Sequence, residues 1–100
     1  MGPEAKLLYD IVRRLKALKA KGYPIWWVKI HGSALMPAGT PDLYVLYGGR
    51  SFWIELKSPG KKPTPIQFHT IHQIDLAGGR AAWTDSLEGF CEIVGLTCSG

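Results

Sequence analysis

The sequence predicts an α/β fold in which a mixed β-sheet is flanked by helices, in the element order α-β-β-β-α-β. Two segments repeat apolar residues at helical spacing, and short runs of β-branched and aromatic residues lie between and after them. A helical segment connects the third strand to the fourth, which favours a mixed sheet with helices packed on it. One hundred residues, 46% of them apolar, suffice for a single domain with one core.

The first half of the chain divides into a helix, a strand and a loop. An amphipathic helix is expected from about Glu4 to Lys21, with Gly22 as its stop. A strand is expected from Ile25 to Ile30, and the Gly and Pro content of the next stretch, SALMPAGTP, indicates a loop. The helix is supported by apolar residues spaced three and four apart: Leu7, Leu8, Ile11, Val12, Leu15 and Leu18.

The next elements are a hairpin and a second helix. Two strand-like runs, 42–47 and 50–57, flank Gly48-Gly49, a pair typical of a two-residue hairpin turn. After a breaker-rich loop, Thr64 is expected to cap a helix that has Pro65 at its first position and stops at Gly78-Gly79.

The last segment is less regular. RAAWTD reads as a short strand and SLEGF as a short helix, while CEIVGL fits either a final strand or the end of that helix. Cys91 and Cys98 lack the spacing of a metal-binding pair, and a cytosolic chain disfavours a disulfide, so we expect structural or incidental thiols.

Charge is unevenly distributed along the chain. The formal net charge is +4, the pI is about 9.2, and no acid lies between Asp10 and Asp42. Such basic surface attracts polyanions, with nucleic acid as the first candidate, although a solvated helix face explains most lysine runs. The chain has no run long enough to span a bilayer and no signal peptide at its start, so a cytoplasmic location is expected.

Acidic and basic side chains converge at the open end of the predicted hairpin. Counting outward from a two-residue turn places Asp42 directly opposite Glu55. Strand alternation sends Trp53, Glu55 and Lys57 to one face of the sheet. A three-residue loop would instead place Leu56 opposite Asp42.

Two opposed carboxylates require a cation or a shared proton. Side chains paired across strands have Cβ atoms about 4.5–5.5 Å apart, where like charges are destabilising. Hard oxygen ligands suit Mg²⁺ or Mn²⁺, and Lys57 at the border could stabilise negative charge on a bound phosphate. The alternative is a structural salt bridge between Lys57 and the two acids.

Pro41-Asp42, followed by Glu55-Leu56-Lys57, resembles the PD-(D/E)xK motif of restriction-endonuclease-like nucleases. The stretches VKIHGSALMPAGTPDLYVL, FWIELKSPGKKPTPIQ and LAGGRAAWTDSLEGF together resemble a VRR-NUC domain, the virus-type replication-repair nuclease family of that superfamily. The similarity runs from about Glu4 to Phe90. It implies one VRR-NUC nuclease domain over residues 1–100, with a restriction-endonuclease-like mixed sheet flanked by helices.

The resemblance implies a role for each residue of the motif. Asp42 and Glu55 are expected to ligate Mg²⁺ or Mn²⁺ with the Leu56 carbonyl, and Lys57 to be the catalytic lysine. Two further residues match family positions, and each has a plainer alternative. Gln67 would position water, lysine or phosphate, but it also fits a capping box with Thr64. Glu4 would reach the metal directly or through water, but it also fits an acid at a helix start.

The implied activity is metal-assisted hydrolysis of DNA phosphodiester bonds. Backbone phosphates would be bound by Lys61, Lys62, Arg13, Arg14 and Lys29. Stand-alone members of the family resemble dimeric, virus-encoded resolvases, which implies a homodimeric Holliday-junction-resolving enzyme in the cytoplasm of a bacterial or virus-infected host cell. A flap or nicking endonuclease and a non-catalytic DNA-binding module remain alternatives. No inserted recognition element is visible, which disfavours a sequence-specific restriction enzyme.

Overall fold

A computed structural model describes residues 1–97 of the chain. The predicted order α-β-β-β-α-β is confirmed, and a third helix follows the last strand. The elements are α1 (Pro3–Ala20), β1 (Ile25–Lys29), β2 (Leu43–Tyr47), β3 (Arg50–Leu56), α2 (Pro65–Leu76), β4 (Ala81–Thr84) and α3 (Leu87–Val94).

The four strands form one mixed sheet in the order β1-β2-β3-β4. β1, β2 and β3 are antiparallel neighbours, whereas β4 runs parallel to β3 because α2 carries the chain back between them. Gly48 and Gly49 both have positive φ, 59° and 84°, as a tight two-residue hairpin turn requires. The turn pairs Tyr47 with Arg50, so the predicted two-residue register is confirmed.

The hydrophobic core lies between one face of the sheet and the helices α1 and α3. α1 buries one apolar stripe against this face, at the spacing that the sequence predicted. The core contains Leu7, Ile11, Leu15, Leu18, Ile25, Leu43, Val45, Phe52, Ile54, Leu56, Phe90, Cys91, Val94 and Leu96. α2 lies on the opposite face, where the alternate side chains of β3 point.

The end of the described chain is helical. Ser86 caps α3 through a hydrogen bond from Gly89 N to its Oγ at 3.0 Å, and the helix continues to Val94. CEIVGL therefore completes a helix rather than forming a strand. Cys91 is buried and disulfide-bonded, so the expectation of a thiol is wrong for this residue. Cys98 lies outside the described residues.

Within residues 1–97, no helix is both long and apolar enough to cross a bilayer.

Candidate active site

Asp42 and Glu55 meet at the open end of the β2–β3 hairpin. The ladder pairs Leu43 with Ile54, so the next position outward sets Asp42 opposite Glu55. Asp42 is half-buried, and its Oδ2 accepts a hydrogen bond from Leu56 N at 3.1 Å. Glu55 is 3% exposed, which is unusual for a carboxyl side chain. The hairpin thus places one acid inside the protein and another beside it.

The buried carboxyl of Glu55 resists ionisation. Burial raises its pKa to about 8, and the neighbouring Asp42 adds to the rise both as a hydrogen-bond partner and as a like charge. Lys57 opposes the rise, and Glu4 contributes a smaller increase. Among the described residues, no donor faces the buried Oε1 of Glu55. Two ionised carboxylates cannot hydrogen-bond to each other, so a bond between Glu55 and Asp42 forms only when one of them takes up a proton.

Gln67 links helix α2 to the acidic pair. Its Nε2 donates to Glu55 Oε2 at 3.4 Å. Its Oε1 accepts from Thr64 N at 2.9 Å, while Gln67 N donates to Thr64 Oγ1 at 3.4 Å, which together form a capping box. The structure therefore combines the capping role and the contact with the site, which the sequence left as alternatives.

Lys57 lies beside the acids on the same face of the sheet. It follows β3 directly, and its backbone N–H donates to Thr84 O at 3.0 Å, so β4 holds this position. Its half-buried side chain donates from Nζ to Gln67 Oε1 at 3.4 Å. In the part of the chain that the structure describes, it makes no salt bridge to Asp42 or Glu55. The ammonium group is therefore held near the carboxylates by an amide and not by direct ion pairing.

A small pocket opens beside Asp42 on the side of α1. It encloses about 170 Å³ and is lined by Glu4, Ala5, Leu8, Lys29, Asp42 and Leu56. Glu4 lies in the first turn of α1, so the helix start does bring this acid to the pocket. Lys29 Nζ lies 3.9 Å from Asp42 Oδ1 and also donates to Ile30 O at 3.0 Å. Lys29, predicted as a phosphate contact, is thus a cation of the site itself.

The loop that precedes Asp42 is fastened to α2. Thr70 Oγ1 donates to Ala38 O at 2.7 Å. Gly39 has a φ of +77°, and a Cβ at this position would lie 2.6 Å from Ile66 O, so the loop approaches the helix at a distance that requires glycine.

The other predicted phosphate contacts lie in two segments, the loop after β3 and helix α1. Lys61 and Lys62 are exposed in the turn that follows β3. Arg14 donates to Thr97 O from Nε at 3.1 Å and from Nη2 at 2.7 Å, which gives it a structural partner. Arg13 is exposed and lies over the ring of Tyr9 at 5.8 Å. The arginines lie on α1, away from the hairpin end.

The residues present fit a hard divalent cation. Glu55 offers a buried oxygen that no donor of residues 1–97 satisfies, and Asp42, which interacts with Glu55, accepts a hydrogen bond from the Leu56 main chain. Across the same residues, no group of three His, Cys, Asp or Glu side chains gathers closely enough to bind a metal on its own. Metal binding would therefore depend on two carboxylates, a main-chain oxygen and water, an arrangement common for Mg²⁺.

The overall geometry matches that of a solved domain. A solved structure described as a VRR_NUC domain superimposes with a TM-score of 0.75, covering 95% of this chain and 97% of that chain at 20% sequence identity. The chain has the VRR-NUC fold. The resemblance inferred from the motifs is confirmed at the level of the fold. No protein-family profile and no curated protein matches the sequence.

Sequence reasoning missed two features of this VRR-NUC fold near the acids. The contact between Lys29 on β1 and Asp42, the residue before β2, was not predicted from the sequence, whereas the prediction that Lys29 binds phosphate stays a prediction. The need for glycine at position 39 arises from α2, which lies far along the chain. The sequence signal that could have revealed this need was the glycine itself, three residues before Asp42.

Proposed function

We propose that the chain is a divalent-metal-dependent, structure-specific DNA endonuclease. The proposal rests on one observation above all: Asp42, Glu55, Lys57 and Gln67 converge at the end of a single hairpin, and the buried oxygen of Glu55 lacks a donor among the described residues. A fold shared with a VRR_NUC domain supports the same class of reaction. The cofactor proposed is Mg²⁺ or Mn²⁺.

Each side chain has a distinct part in the proposed hydrolysis. Asp42, Glu55 and the Leu56 carbonyl would hold the metal, with Glu4 contributing through water. When bound, the metal supplies a more acidic water and neutralises phosphate charge. Lys57 offsets the negative charge that develops on the phosphate as the bond to the leaving oxygen lengthens. Gln67 orients the Glu55 carboxylate and the Lys57 ammonium relative to each other.

Branched DNA is the proposed substrate, with the four-way junction first and the flap second. Resolution of a four-way junction needs paired incisions, which a twofold homodimer places symmetrically. We therefore propose a homodimeric Holliday-junction-resolving enzyme acting in the cytoplasm. Basic side chains, Lys61 and Lys62 in particular, would bind backbone phosphates without reading sequence.

The test is cleavage of labelled four-way junctions, flaps and plain duplex with Mg²⁺ or Mn²⁺. Asp42→Asn is expected to abolish cutting, and Lys57→Met to lower the rate by about 10²–10³-fold. Both variants should still bind the same DNA in EDTA. Lys21→Met is the matched control, because Lys21 is exposed at the end of α1.

Two results would overturn the proposal. Wild-type cleavage rates in both site variants would show that Asp42 and Lys57 take no part in cutting, so the site assignment would be wrong. A wild-type protein that binds branched DNA but never cuts it with either metal would instead be a non-catalytic DNA-binding module. Sedimentation tests the dimer separately: a monomer at micromolar concentration would favour the flap as substrate.

A further inference from the structure

Three aromatic side chains form a continuous strip on the sheet face that carries Glu55 and Lys57. The aromatic strip consists of Trp26 on β1, Tyr44 on β2 and Trp53 on β3. The ring centroids of Trp26 and Tyr44 are 6.3 Å apart, and those of Tyr44 and Trp53 are 5.0 Å apart. Tyr44 is fixed further by a hydrogen bond of 2.7 Å between its hydroxyl and that of Ser51. The strip is therefore a row of rings that hold one another in place.

One ring of the aromatic strip is open to solvent, and the other two, those of Tyr44 and Trp53, are half-buried. Trp26 is 51% exposed, and Val28, the next residue of β1 on this face, is 41% exposed. α2 covers the other half of the face, where Phe68 contacts Trp83 with 6.4 Å between the ring centroids. The core lies on the opposite face of the sheet, so an exposed indole at position 26 is not needed to complete it.

The aromatic strip is continuous with the candidate active site. Tyr44 lies two residues along β2 from Asp42, and Trp53 lies two residues along β3 from Glu55, in both cases on the same face. Two residues of a strand span about 7 Å, so the strip begins a short distance from the two acids. The three strip residues are uncharged, so they present no carboxylate to repel a DNA strand.

We propose that the aromatic strip binds unpaired bases of the DNA substrate by stacking, next to the scissile phosphate. The inference rests on the proposed endonuclease function and adds a means of selecting branched DNA. Faces of paired bases are hidden inside the duplex, whereas bases in a flap, or bases opened at the centre of a junction, expose theirs. Every base has a π-face, so the strip would recognise strand structure without reading sequence.

A cavity at the Trp53 end of the strip fits the same ligand. It encloses about 450 Å³ between Trp53, the loop before Asp42 and helix α2. Its lining is mainly apolar and includes Met36, Pro37 and Ile74. A base turned away from its neighbours could enter here while the adjoining bases lie on the strip.

The test compares two single strands of equal length that differ in their bases. Labelled oligothymidylate carries phosphates and bases, whereas an abasic strand of the same length carries the phosphates alone. Fluorescence anisotropy in EDTA, where no metal supports cleavage, measures binding of each. We expect tighter binding of oligothymidylate, and we expect Trp26→Ala to weaken that binding by about tenfold while leaving the abasic strand unaffected. Trp26→Phe should retain most of the affinity.

Two variants serve as controls. Tyr9→Ala removes an aromatic side chain that is 50% exposed on α1, away from the strip, and should bind oligothymidylate as the wild type does. Trp26→Leu keeps an apolar side chain without a π-face and should lose affinity as Trp26→Ala does. Equal binding of the two strands by the wild type, or unchanged binding by Trp26→Ala, would overturn the inference. If the wild type is a dimer and Trp26→Ala dissociates it, the strip is an interface with a second copy of the chain. That result would also overturn the inference.

The inference about the strip and the proposed endonuclease function can be refuted independently of each other. A protein that cuts branched DNA but does not distinguish oligothymidylate from the abasic strand refutes the inference about the strip alone. A protein that binds bases through Trp26 but never cuts DNA refutes the proposed endonuclease alone.

Discussion

Gln67 donates a hydrogen bond of 3.4 Å from Nε2 to Oε2 of the buried Glu55. The same side chain closes the first turn of α2 by accepting from Thr64 N at 2.9 Å. One amide therefore fixes the helix start and the orientation of a site carboxylate. Because the capping box determines where the amide points, the start of α2 is part of the support of the candidate site.

Removing Gln67 is expected to affect activity and stability together. Gln67→Ala should lower the cleavage rate by about 10–100-fold, as loss of a partner behind a metal ligand does. It should also lower the free energy of unfolding by about 1 kcal/mol through the lost cap. Thr64→Ala is the control, because it removes the cap but leaves the Gln67 amide in place. Equal rate losses in the two variants would mean that Gln67 acts through the helix alone.

The raised pKa of Glu55 predicts that the metal-free protein loses stability as pH rises. The ordinary pKa of 4.5 is raised to about 8 in the folded protein, so between these values the folded state keeps a proton that the unfolded state releases. The free energy of unfolding should fall through this range by an amount on the order of a few kcal/mol.

Denaturant unfolding in EDTA between pH 5 and about 8 measures this slope. Glu55→Gln cannot ionise, so it should remove most of the slope and unfold at higher denaturant concentration than the wild type near pH 8. Identical slopes in the two proteins would show that Glu55 does not resist ionisation in the folded state.

Lys29 is expected to weaken metal binding at the neighbouring carboxylates. Its Nζ lies 3.9 Å from Asp42 Oδ1, so a divalent cation there meets a positive charge at close range. Lys29→Gln should tighten Mn²⁺ binding without DNA by up to about fivefold, since the ion pair is partly exposed and screened. Calorimetry measures the affinity, with Lys21→Gln as the exposed control. Weaker Mn²⁺ binding in Lys29→Gln would contradict this electrostatic account.

Gly39 is expected to be essential to the loop that positions Asp42. Gly39→Ala places a Cβ 2.6 Å from Ile66 O and must hold a φ of +77°, so it should cost about 2–4 kcal/mol. Thermal unfolding measures the loss. In Gly32→Ala the added Cβ meets nothing within 4 Å among the described residues, so this control should change stability by less than about 0.5 kcal/mol. A thermal midpoint for Gly39→Ala equal to that of the control would show that the loop readily moves away from α2.

Local sequence signals predicted the elements and the register well. Gly48-Gly49 specified the turn, and Thr64-Pro65 specified the start of α2, because both depend on residues adjacent in the chain. The register then placed Asp42 opposite Glu55. Contacts between distant segments were not predictable in the same way. The ion pair of Lys29 with Asp42 depends on how the strands and α1 pack, which no short pattern encodes.

The open half of the sheet face also combines a feature that local sequence predicts with one that depends on distant segments. The hairpin register alone pairs Tyr44 with Trp53 and could have revealed two neighbouring rings. Trp26 contacts these rings and stays exposed because of where α2 packs on the sheet. The sequence therefore predicted which residues share a face, but not which part of the face remains uncovered.

The length of the Gly48-Gly49 turn determines which side chains lie opposite each other at the other end of the hairpin. Five residue steps, about 17 Å of strand, separate Tyr47 from Asp42 on one side and Arg50 from Glu55 on the other. Adding one residue to one arm without a compensating bulge would turn every side chain beyond it to the opposite face, and the two carboxylates would part. In proteins that share this fold and its two acids, this exposed bend should keep its length and residues that tolerate a positive φ, although it lies at the far end of the hairpin from those acids.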